Sequence, residues 1–200
     1  MKNSTPALKA KSNGTNTPRL GLDSKQREGA VCCLNVALAN AYVLSVKTKK
    51  AHWDVVGPQF MMLHKLWDEQ YALLEGYIDN VAERVRTLGG FPVATLQGFL
   101  AQTELKEHPL ELPMATAAVV QLVDDHEAVV RSLRVAVRSC ADDFNDAGTA
   151  DFLTGMMEGH EKMAWILRSF LEGTAIQPSG QGFQKKSQAA ASSGDGRRFA

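Results

Sequence analysis

The apolar residues of this chain recur at helical spacing in four stretches, and no stretch alternates convincingly with the period of two that is typical of a strand. The first stretch begins near Asp23 or Ser24, either of which suits an N-cap, and continues to His52. The second follows Gly57-Pro58, because proline is well placed in a first helical turn, and ends at a pair of glycines. These patterns predict two long helices in the first half of the chain.

The second half of the chain begins with a long connection. Residues 91–113 contain three prolines and only a short possible helix, around Thr95–Thr103. Two further helical stripes follow, the first with His126 and the second with His160. A crossover of this length lets the second and third long helices lie parallel. The pattern therefore predicts an all-α, ferritin-like four-helix bundle with a short helix in the crossover.

Charge is distributed unevenly along the 200 residues, although the formal net charge is zero. Residues 1–22 contain four basic residues and no acid, and residues 173–200 contain four basic residues and one acid. Residues 23–172 therefore hold 14 basic and 21 acidic residues, a net charge of −7. Both ends have too few apolar residues to offset the entropy lost on ordering. We expect one folded domain, residues 23–172, between two flexible basic tails.

The composition favours a soluble protein of the cytoplasm, without a membrane-spanning segment. We find no apolar run near the roughly 18 residues of a spanning helix, and nothing that resembles a signal peptide. The three cysteines, Cys32, Cys33 and Cys140, are an odd number, and two are neighbours in a predicted helix. A disulfide framework is therefore not expected. We interpret the cysteines as buried thiols in preference to redox groups.

Four polar residues of the second helix share one face: His64, Asp68, Asp79 and Glu83. On a helical wheel this face lies about a quarter-turn or more from the apolar stripe, so it should point sideways out of the bundle. Asp68 and Asp79 are 11 residues apart, roughly 16 Å along a helix, and one copy cannot close them around one ion. A single His-x-x-x-Asp pair would be better explained as part of a solvated face.

The spacing of the four residues is nevertheless symmetric about a point between residues 73 and 74. A two-fold axis at that point would bring His64 opposite Glu83, and Asp68 opposite Asp79, of an antiparallel helix in a second copy. A C2 dimer would then carry two equivalent sites, each built from both chains. The symmetry therefore favours a shared metal site over a solvated face.

Small residues and a further histidine support this interpretation. Ala72 and Gly76 lie near the proposed crossing, and glycine within a helix costs about 1 kcal/mol relative to alanine unless a close approach compensates. His52 precedes His64 by twelve residues, across a turn. Imidazole nitrogen together with carboxylate oxygen suits Fe²⁺, Mn²⁺ or Zn²⁺. Redox chemistry is the natural use of iron in such a site.

Two segments of the chain resemble the Dps family, the miniferritins named as DNA-binding proteins of starved cells. The segment HWDVVGPQFMMLHKLWDEQYALLEGYIDNVAERVRTLGG carries the polar face, and DAGTADFLTGMMEGHEKMAWILRSFL is similar to the last helix of the family. The resemblance spans essentially the whole predicted bundle, and the motif in the first segment is highly specific.

The resemblance implies an iron-storing ferroxidase. His52, His64 and Asp68 of one subunit and Asp79 and Glu83 of its two-fold mate would form the ferroxidase centre. The family's hollow shell is a dodecamer that stores ferric oxide, and it uses hydrogen peroxide in preference to dioxygen as the oxidant. The metal bound by this chain would therefore be iron, as Fe²⁺ and Fe³⁺.

Two other features have a family interpretation and a simpler one. Trp53, next to a ligand, would pack at the ferroxidase centre and intercept oxidising equivalents, or it would only pack in the core or in an interface. Asp142, Asp143, Asp146 and Asp151 surround the start of the last helix and fit the family's acidic three-fold pores for iron uptake. A solvated loop, with acids placed favourably at a helix N-terminus, explains the same four residues.

His126 and His160 raise the question of a second metal site inside the bundle. Ferritins proper use Glu-x-x-His on their helices for such a centre, and this sequence contains no Glu-x-x-His. We therefore expect satisfied core histidines. Met156, Met157 and Met163 are likewise expected in the core.

The basic tails, displayed on every subunit of a shell, suit non-specific binding of DNA phosphates with a strong salt dependence. Keeping the shell soluble is the alternative role for the tails. For the whole protein, the alternative is a non-enzymatic DNA-compacting or structural shell with a degenerate metal site. We expect a cytoplasmic, nucleoid-associated protein. The basic residues concerned are Lys2, Lys9, Lys11, Arg19, Lys185, Lys186, Arg197 and Arg198.

Overall fold

The structure, a computed structural model, describes residues 17–107 and 114–172. This part of the chain consists of helices and connections and contains no strand. The elements are α1 (Ser24–Asp54), α2 (Phe60–Thr87), α3 (Leu96–Gln102), α4 (Ala115–Arg138), a π-helical turn (Ser139–Asp143) and α5 (Ala147–Arg168). The predictions of an all-α four-helix bundle and of a short helix in the crossover are confirmed.

Local hydrogen bonds explain where two of the helices begin. The Asp23 carboxylate accepts from the backbone N–H of Gln26, and the Gln26 side chain accepts from the backbone N–H of Asp23, both at 2.8 Å. This capping box satisfies N–H groups that α1 itself leaves unbonded. The Thr95 hydroxyl caps α3 by accepting from the N–H of Gly98 at 3.0 Å. Asp23 is one of the two N-cap candidates that the sequence indicated, and Thr95 was predicted only as the approximate start of the short helix.

The long helices pack as two hairpins, α1 with α2 and α4 with α5, and α1 also contacts α3 and α4. The first hairpin is antiparallel: the Ser45 hydroxyl donates to Glu75 Oε1 at 2.7 Å, while His52 contacts His64 nearer the turn. Each fully buried apolar side chain contributes roughly 1.5–3 kcal/mol to the fold. The largest of them are Trp67, Leu34, Leu38, Leu44, Leu63, Leu74, Leu88, Leu133, Leu153 and Leu167.

Helix α1 contradicts the expectation that no apolar run approaches the length of a spanning helix. It has no charged residue from Gly29 to Val46. Within the described residues it is the one helix long and apolar enough, by length and composition, to cross a membrane. The core helix of a soluble bundle meets the same criterion, and 56% of the apolar window of α1 is buried. The polar residues Asn35, Asn40 and Ser45 interrupt the run, so no long stretch of it consists of apolar residues alone.

The three cysteines are free, as expected, but they are not all buried. Cys140 is buried, Cys33 is half-buried and Cys32 is exposed. Successive residues of a helix point about 100° apart, so two neighbours cannot both face the core directly. The prediction of a buried thiol is therefore wrong for Cys32 and only partly right for Cys33.

The proposed domain limits stay a prediction. All the helices listed above fall within residues 23–172. Residues 1–16 and 173–200, which make up most of the two predicted basic tails, lie outside the described residues.

Candidate metal centre

Two histidines from different helices lie against each other beside the turn between α1 and α2. His52 is in the last turn of α1, and His64 is near the start of α2. Their rings stack with centroids 3.8 Å apart. His52 Nδ1 lies 2.8 Å from the backbone O of His64, and His64 Nδ1 lies 2.9 Å from the backbone O of His52. Each histidine therefore orients the other.

These two hydrogen bonds determine which nitrogen each ring can offer to a metal. A carbonyl oxygen only accepts, so each Nδ1 must carry a hydrogen and donate it. In the neutral rings, both Nε2 atoms then keep a free lone pair, the form in which imidazole binds metals. Because His52 is buried and His64 is half-buried, the rings are also held by packing. The pair is a preorganised source of two nitrogen ligands.

Asp68 is the third predicted ligand that the fold brings to this place. Asp68 Oδ1 lies 3.9 Å from His52 Nε2, and the carboxylate is exposed. It follows His64 by four residues on α2, so the two side chains lie on the same face of the helix. The two stacked histidines and the Asp68 carboxylate thus lie at the same end of the helical hairpin.

Lys49 also lies at this place, which the sequence pattern did not predict. Its ammonium lies 3.3 Å from Asp68 Oδ1 and 4.2 Å from the centroid of the Tyr71 ring. A bound cation and the ammonium would compete for the same carboxylate. The signal in the sequence is the helical spacing, since Lys49 precedes His52 by three residues and shares its face of α1.

Asp79 and Glu83, the other two predicted ligands, are exposed near the far end of α2. They lie roughly 16 Å or more from Asp68 along the helix. Across residues 17–107 and 114–172, no three His, Cys, Asp or Glu side chains of one chain converge well enough to hold a metal ion. Within one chain, the fold therefore places His52, His64 and Asp68 near one another and keeps Asp79 and Glu83 apart from them.

The middle of α2, between these two sets of ligands, presents small and apolar residues to the outside. Ala72 and Gly76 are exposed, and a Cβ at Gly76 would meet nothing within 4 Å. Leu73, between them, is an exposed large apolar side chain. Nothing within the described chain explains the glycine. A close crossing by a second helix is the arrangement that small residues permit.

Trp53 is 70% exposed, so packing in the core of its own chain, one of the simpler interpretations, is wrong. Val56, Met61 and Met62, which lie in the same turn or just after it, are also exposed. Large apolar side chains exposed together mark an interaction surface. The remaining interpretations of Trp53 are packing in an interface and a role beside the metal ligands.

The four acidic residues near the start of α5 do not form one group. Asp142, Asp143 and Asp151 are exposed. Asp146 is buried, and its carboxylate accepts from the N–H of Thr149 at 2.9 Å, from the Thr149 hydroxyl at 2.6 Å and from Arg84 Nη2 at 3.1 Å. We therefore correct the assignment of Asp146 to a pore: this residue caps α5 and is paired inside the chain.

His126 and His160 are fully buried, as predicted, but only half of their hydrogen-bonding capacity is used. Their Nδ1 atoms lie 3.0 Å apart, and neither Nε2 has a hydrogen-bond partner among the described residues. Burial lowers the pKa of His160 to about 4, and burial together with the nearby His160 lowers the pKa of His126 well below its usual value. The prediction of core histidines is therefore confirmed, and the described residues provide a partner for each Nδ1. Met156 and Met163 are buried as predicted, and Met157 is half-buried.

Arg19 is the one predicted DNA-binding residue that the structure describes, and it is exposed. The other seven lie outside the described residues and stay a prediction: Lys2, Lys9, Lys11, Lys185, Lys186, Arg197 and Arg198.

Comparisons with known proteins agree with this architecture. The Ferritin family model, a ferritin-like domain, matches residues 32–175. The chain is 56% identical over 161 residues to a low temperature-induced protein of Nostoc sp., covering 80% of this chain and 90% of the relative. It is 42% identical over 139 residues to a DNA protection during starvation protein of Brevibacillus brevis, covering 70% of this chain and 92% of the relative.

The chain is also similar in fold to solved structures of Dps proteins. A Dps protein from Bacillus brevis matches with a TM-score of 0.71 at 38% identity, covering 76% of this chain and 100% of that chain. A Dps protein from Vibrio cholerae O1, described as a member of a broad superfamily of ferritin-like diiron-carboxylate proteins, matches with a TM-score of 0.73 at 30% identity, covering 80% of this chain and 100% of that chain. With its four-helix bundle and the ligand-bearing hairpin of α1 and α2, the chain belongs to the Dps family of ferritin-like proteins.

Proposed function

We propose that this protein oxidises Fe²⁺ at centres shared between two-fold-related subunits and stores the ferric product in a hollow dodecamer. The observation that carries the proposal is the reciprocal pair formed by His52 and His64. Both rings keep an Nε2 lone pair available, and that of His52 lies 3.9 Å from the Asp68 carboxylate. Asp79 and Glu83 of the mate would supply the remaining oxygen ligands.

The chemistry of the donor set suits iron as the substrate. Neutral nitrogens and anionic oxygens bind Fe²⁺, and the negative charge of the carboxylates stabilises Fe³⁺ more than Fe²⁺. Two Fe²⁺ ions lose one electron each, and hydrogen peroxide takes up both electrons and two protons to leave as two water molecules. Peroxide is the expected oxidant and dioxygen the alternative. The description of the Vibrio relative as a diiron-carboxylate protein supports this function.

Iron reaches the shell interior, on this proposal, past the exposed Asp142, Asp143 and Asp151 near the start of α5. A folded body with net charge −7 also attracts cations. Asp146 has no part in this path, because its carboxylate is buried and bonded within the chain.

A test by co-assembly distinguishes a shared centre from a centre within one chain. Asp68→Asn and Asp79→Asn each remove a ligand from every centre, so shells of either variant alone should lose rapid iron oxidation. In a mixed dimer of the two, one centre lacks both carboxylates and the other has both. When the two variants are co-expressed in equal amounts and assemble at random, about a quarter of the centres should therefore contain both intact carboxylates. Stopped-flow absorbance of ferric product after peroxide addition measures the recovery.

The matched control is Glu69→Gln. Glu69 is an exposed acid adjacent to Asp68, about 100° away around α2, and its replacement should leave the rate unchanged. Light scattering on every sample checks that the shell has formed. Absence of recovery in co-assembled shells would disprove the shared centre, and wild-type rates in either single variant would place the chemistry elsewhere. In the second case the alternative remains, a structural or DNA-compacting shell without ferroxidase activity.

We further propose non-specific binding of DNA by the tails, which the names of the DNA-protection relatives support. An acidic body repels phosphate, so binding must come from basic arms that extend beyond it. Deletion of residues 2–20 should weaken the retardation of linear plasmid in a gel, and physiological salt should weaken it for the full chain. Equal retardation by the two proteins would assign binding to the C-terminal tail, and no retardation at low salt would leave iron oxidation and storage as the function.

A further inference from the structure

Helix α1 approaches the junction between α4 and α5 very closely. A Cβ at Gly29 would lie 2.2 Å from Cε1 of Phe144, which directly follows the π-helical turn. Only a residue without a side chain permits this contact. Cys33 lies one turn after Gly29 on the same face of α1, because residues four apart share a helix face. This face therefore presents Cys33 to the π-helical turn.

The π-helical turn provides a second thiol at this contact. Cys140 is its fully buried residue, and its backbone carbonyl accepts from the N–H of Asp146 at 2.8 Å. The side chains of Cys33 and Cys140 are neighbours, close enough for each thiol to affect the pKa of the other, where α1 contacts the π-helical turn. Both cysteines are free, so the two sulfurs are neighbours that have not been joined.

The two thiols are chemically unequal. The Cys140 side chain, helped by a backbone hydrogen bond, lowers the pKa of Cys33 despite partial burial and the nearby Asp143. The Cys33 side chain, together with burial, raises the pKa of Cys140 above its usual value. Cys33 is half-buried and Cys140 is fully buried. Reactivity towards an oxidant follows thiolate character and exposure, so Cys33 is the one that should react first.

We propose that Cys33 and Cys140 form a peroxide-sensitive redox pair that closes to an intrachain disulfide. The Cys33 thiolate attacks one oxygen of hydrogen peroxide, the O–O bond breaks, and hydroxide leaves, which gives a sulfenic acid on Cys33. The Cys140 sulfur then attacks the Cys33 sulfur, the S–O bond breaks, and water leaves with the thiol proton. Overall, two thiols and one peroxide give one disulfide and two water molecules, so peroxide gains the two electrons that the sulfurs lose.

This reaction needs no iron and uses none of the ferroxidase ligands. Its product would tie α1 to the segment that carries Asp142 and Asp143. A dithiol reductant would reverse it. The proposal is therefore independent of the proposed function and can fail or hold separately from it.

The test uses the full-length, assembled protein after metal removal. The protein is treated with hydrogen peroxide, quenched with an alkylating reagent under denaturing conditions, and digested without reduction. Wild type should lose the mass of two hydrogen atoms per chain and give a linked pair of peptides containing Cys33 and Cys140. A parallel sample treated with dimedone during oxidation should carry the label on Cys33.

Cys32→Ser provides the matched control, because it removes the exposed neighbouring thiol and should leave the rate of disulfide formation unchanged. Cys33→Ser should abolish both the disulfide and the dimedone label, and Cys140→Ser should leave a persistent label on Cys33. Should Cys140→Ser fail to assemble, the position of the label in wild type decides the same point. A disulfide or label that involves Cys32 in place of Cys33, a label on Cys140, or unchanged thiols after peroxide would overturn the proposal.

Discussion

Acid should destabilise this protein through the buried pair of His126 and His160. Burial lowers the pKa of His160 from 6.5 to about 4, so between these pH values the unfolded chain binds a proton that the folded chain excludes. The histidine then causes no loss of stability above pH 6.5, and stability is lost as the pH falls towards 4. The pKa of His126 is lowered in the same direction and adds to the loss.

The magnitude follows from the shift at His160 alone. A difference of two to three pKa units at 1.36 kcal/mol per unit gives about 3 kcal/mol lost by pH 4. For a domain of this size, that corresponds to a fall in Tm of roughly 6–12 °C. A charged ring would be poorly solvated at this position, because neither Nε2 has a partner among the described residues and both side chains are fully buried.

The assay compares thermal unfolding of wild type and His160→Leu from pH 7 to pH 4 at one protein concentration. The leucine variant removes the titrating group, so the stability difference between the proteins should move by about 3 kcal/mol in favour of the variant as the pH falls. Loss of the hydrogen bond to His126 adds an offset that this titration does not change. Met163→Leu, a buried substitution one turn away, should show an offset independent of pH. A difference in stability between wild type and His160→Leu that stays the same from pH 7 to pH 4 would refute the reasoning.

Two further predictions concern charged residues. Lys49→Gln removes a positive charge beside Asp68, so it should tighten the binding of Zn²⁺ by up to about tenfold. Titration calorimetry measures the affinity. Weaker binding in the variant would show that the lysine positions the carboxylate. Asp146→Ala should lower stability in urea unfolding by about 3 kcal/mol, because it removes the α5 cap and leaves Arg84 without this partner. The exposed Asp151→Ala should change stability by less than about 0.5 kcal/mol, and equal losses would contradict the role of Asp146.

Apolar spacing was sufficient to predict the long helices. Burial of one face dominates their stability, so apolar residues recur in the sequence with the period of the helix. This spacing could not predict the π-helical turn, which adds a residue locally without a residue preference of its own. It also missed Gln70, which is buried on α2 and donates to the backbone O of Met163 at 3.4 Å. Met163 lies on another helix, so the residues around Gln70 in the sequence do not indicate this hydrogen bond.

The candidate centre was predictable to the extent that its ligands lie at symmetric positions on α2. The reciprocal bonding of His52 and His64 was not, because each ring donates to a backbone carbonyl, an atom that every residue possesses. For Asp146, by contrast, the prediction from the sequence was wrong. Its acidic neighbours suggested a solvated or iron-conducting segment, whereas its own carboxylate is enclosed by Thr149 and Arg84, contacts that only the tertiary structure supplies.

The two halves of the proposed centre differ in rigidity, and this difference couples the chemistry to assembly. The imidazoles of His52 and His64 are held in place within one chain, whereas Asp68 is exposed and paired with a lysine. A separated chain therefore offers iron two neutral nitrogens and one engaged carboxylate, too little negative charge to favour Fe³⁺ strongly. On the proposed arrangement, the carboxylates of Asp79 and Glu83 would come only from a second subunit. On the proposed arrangement, oxidation is fast where the shell has already formed, so the ferric product is made beside the cavity that stores it and not in free solution.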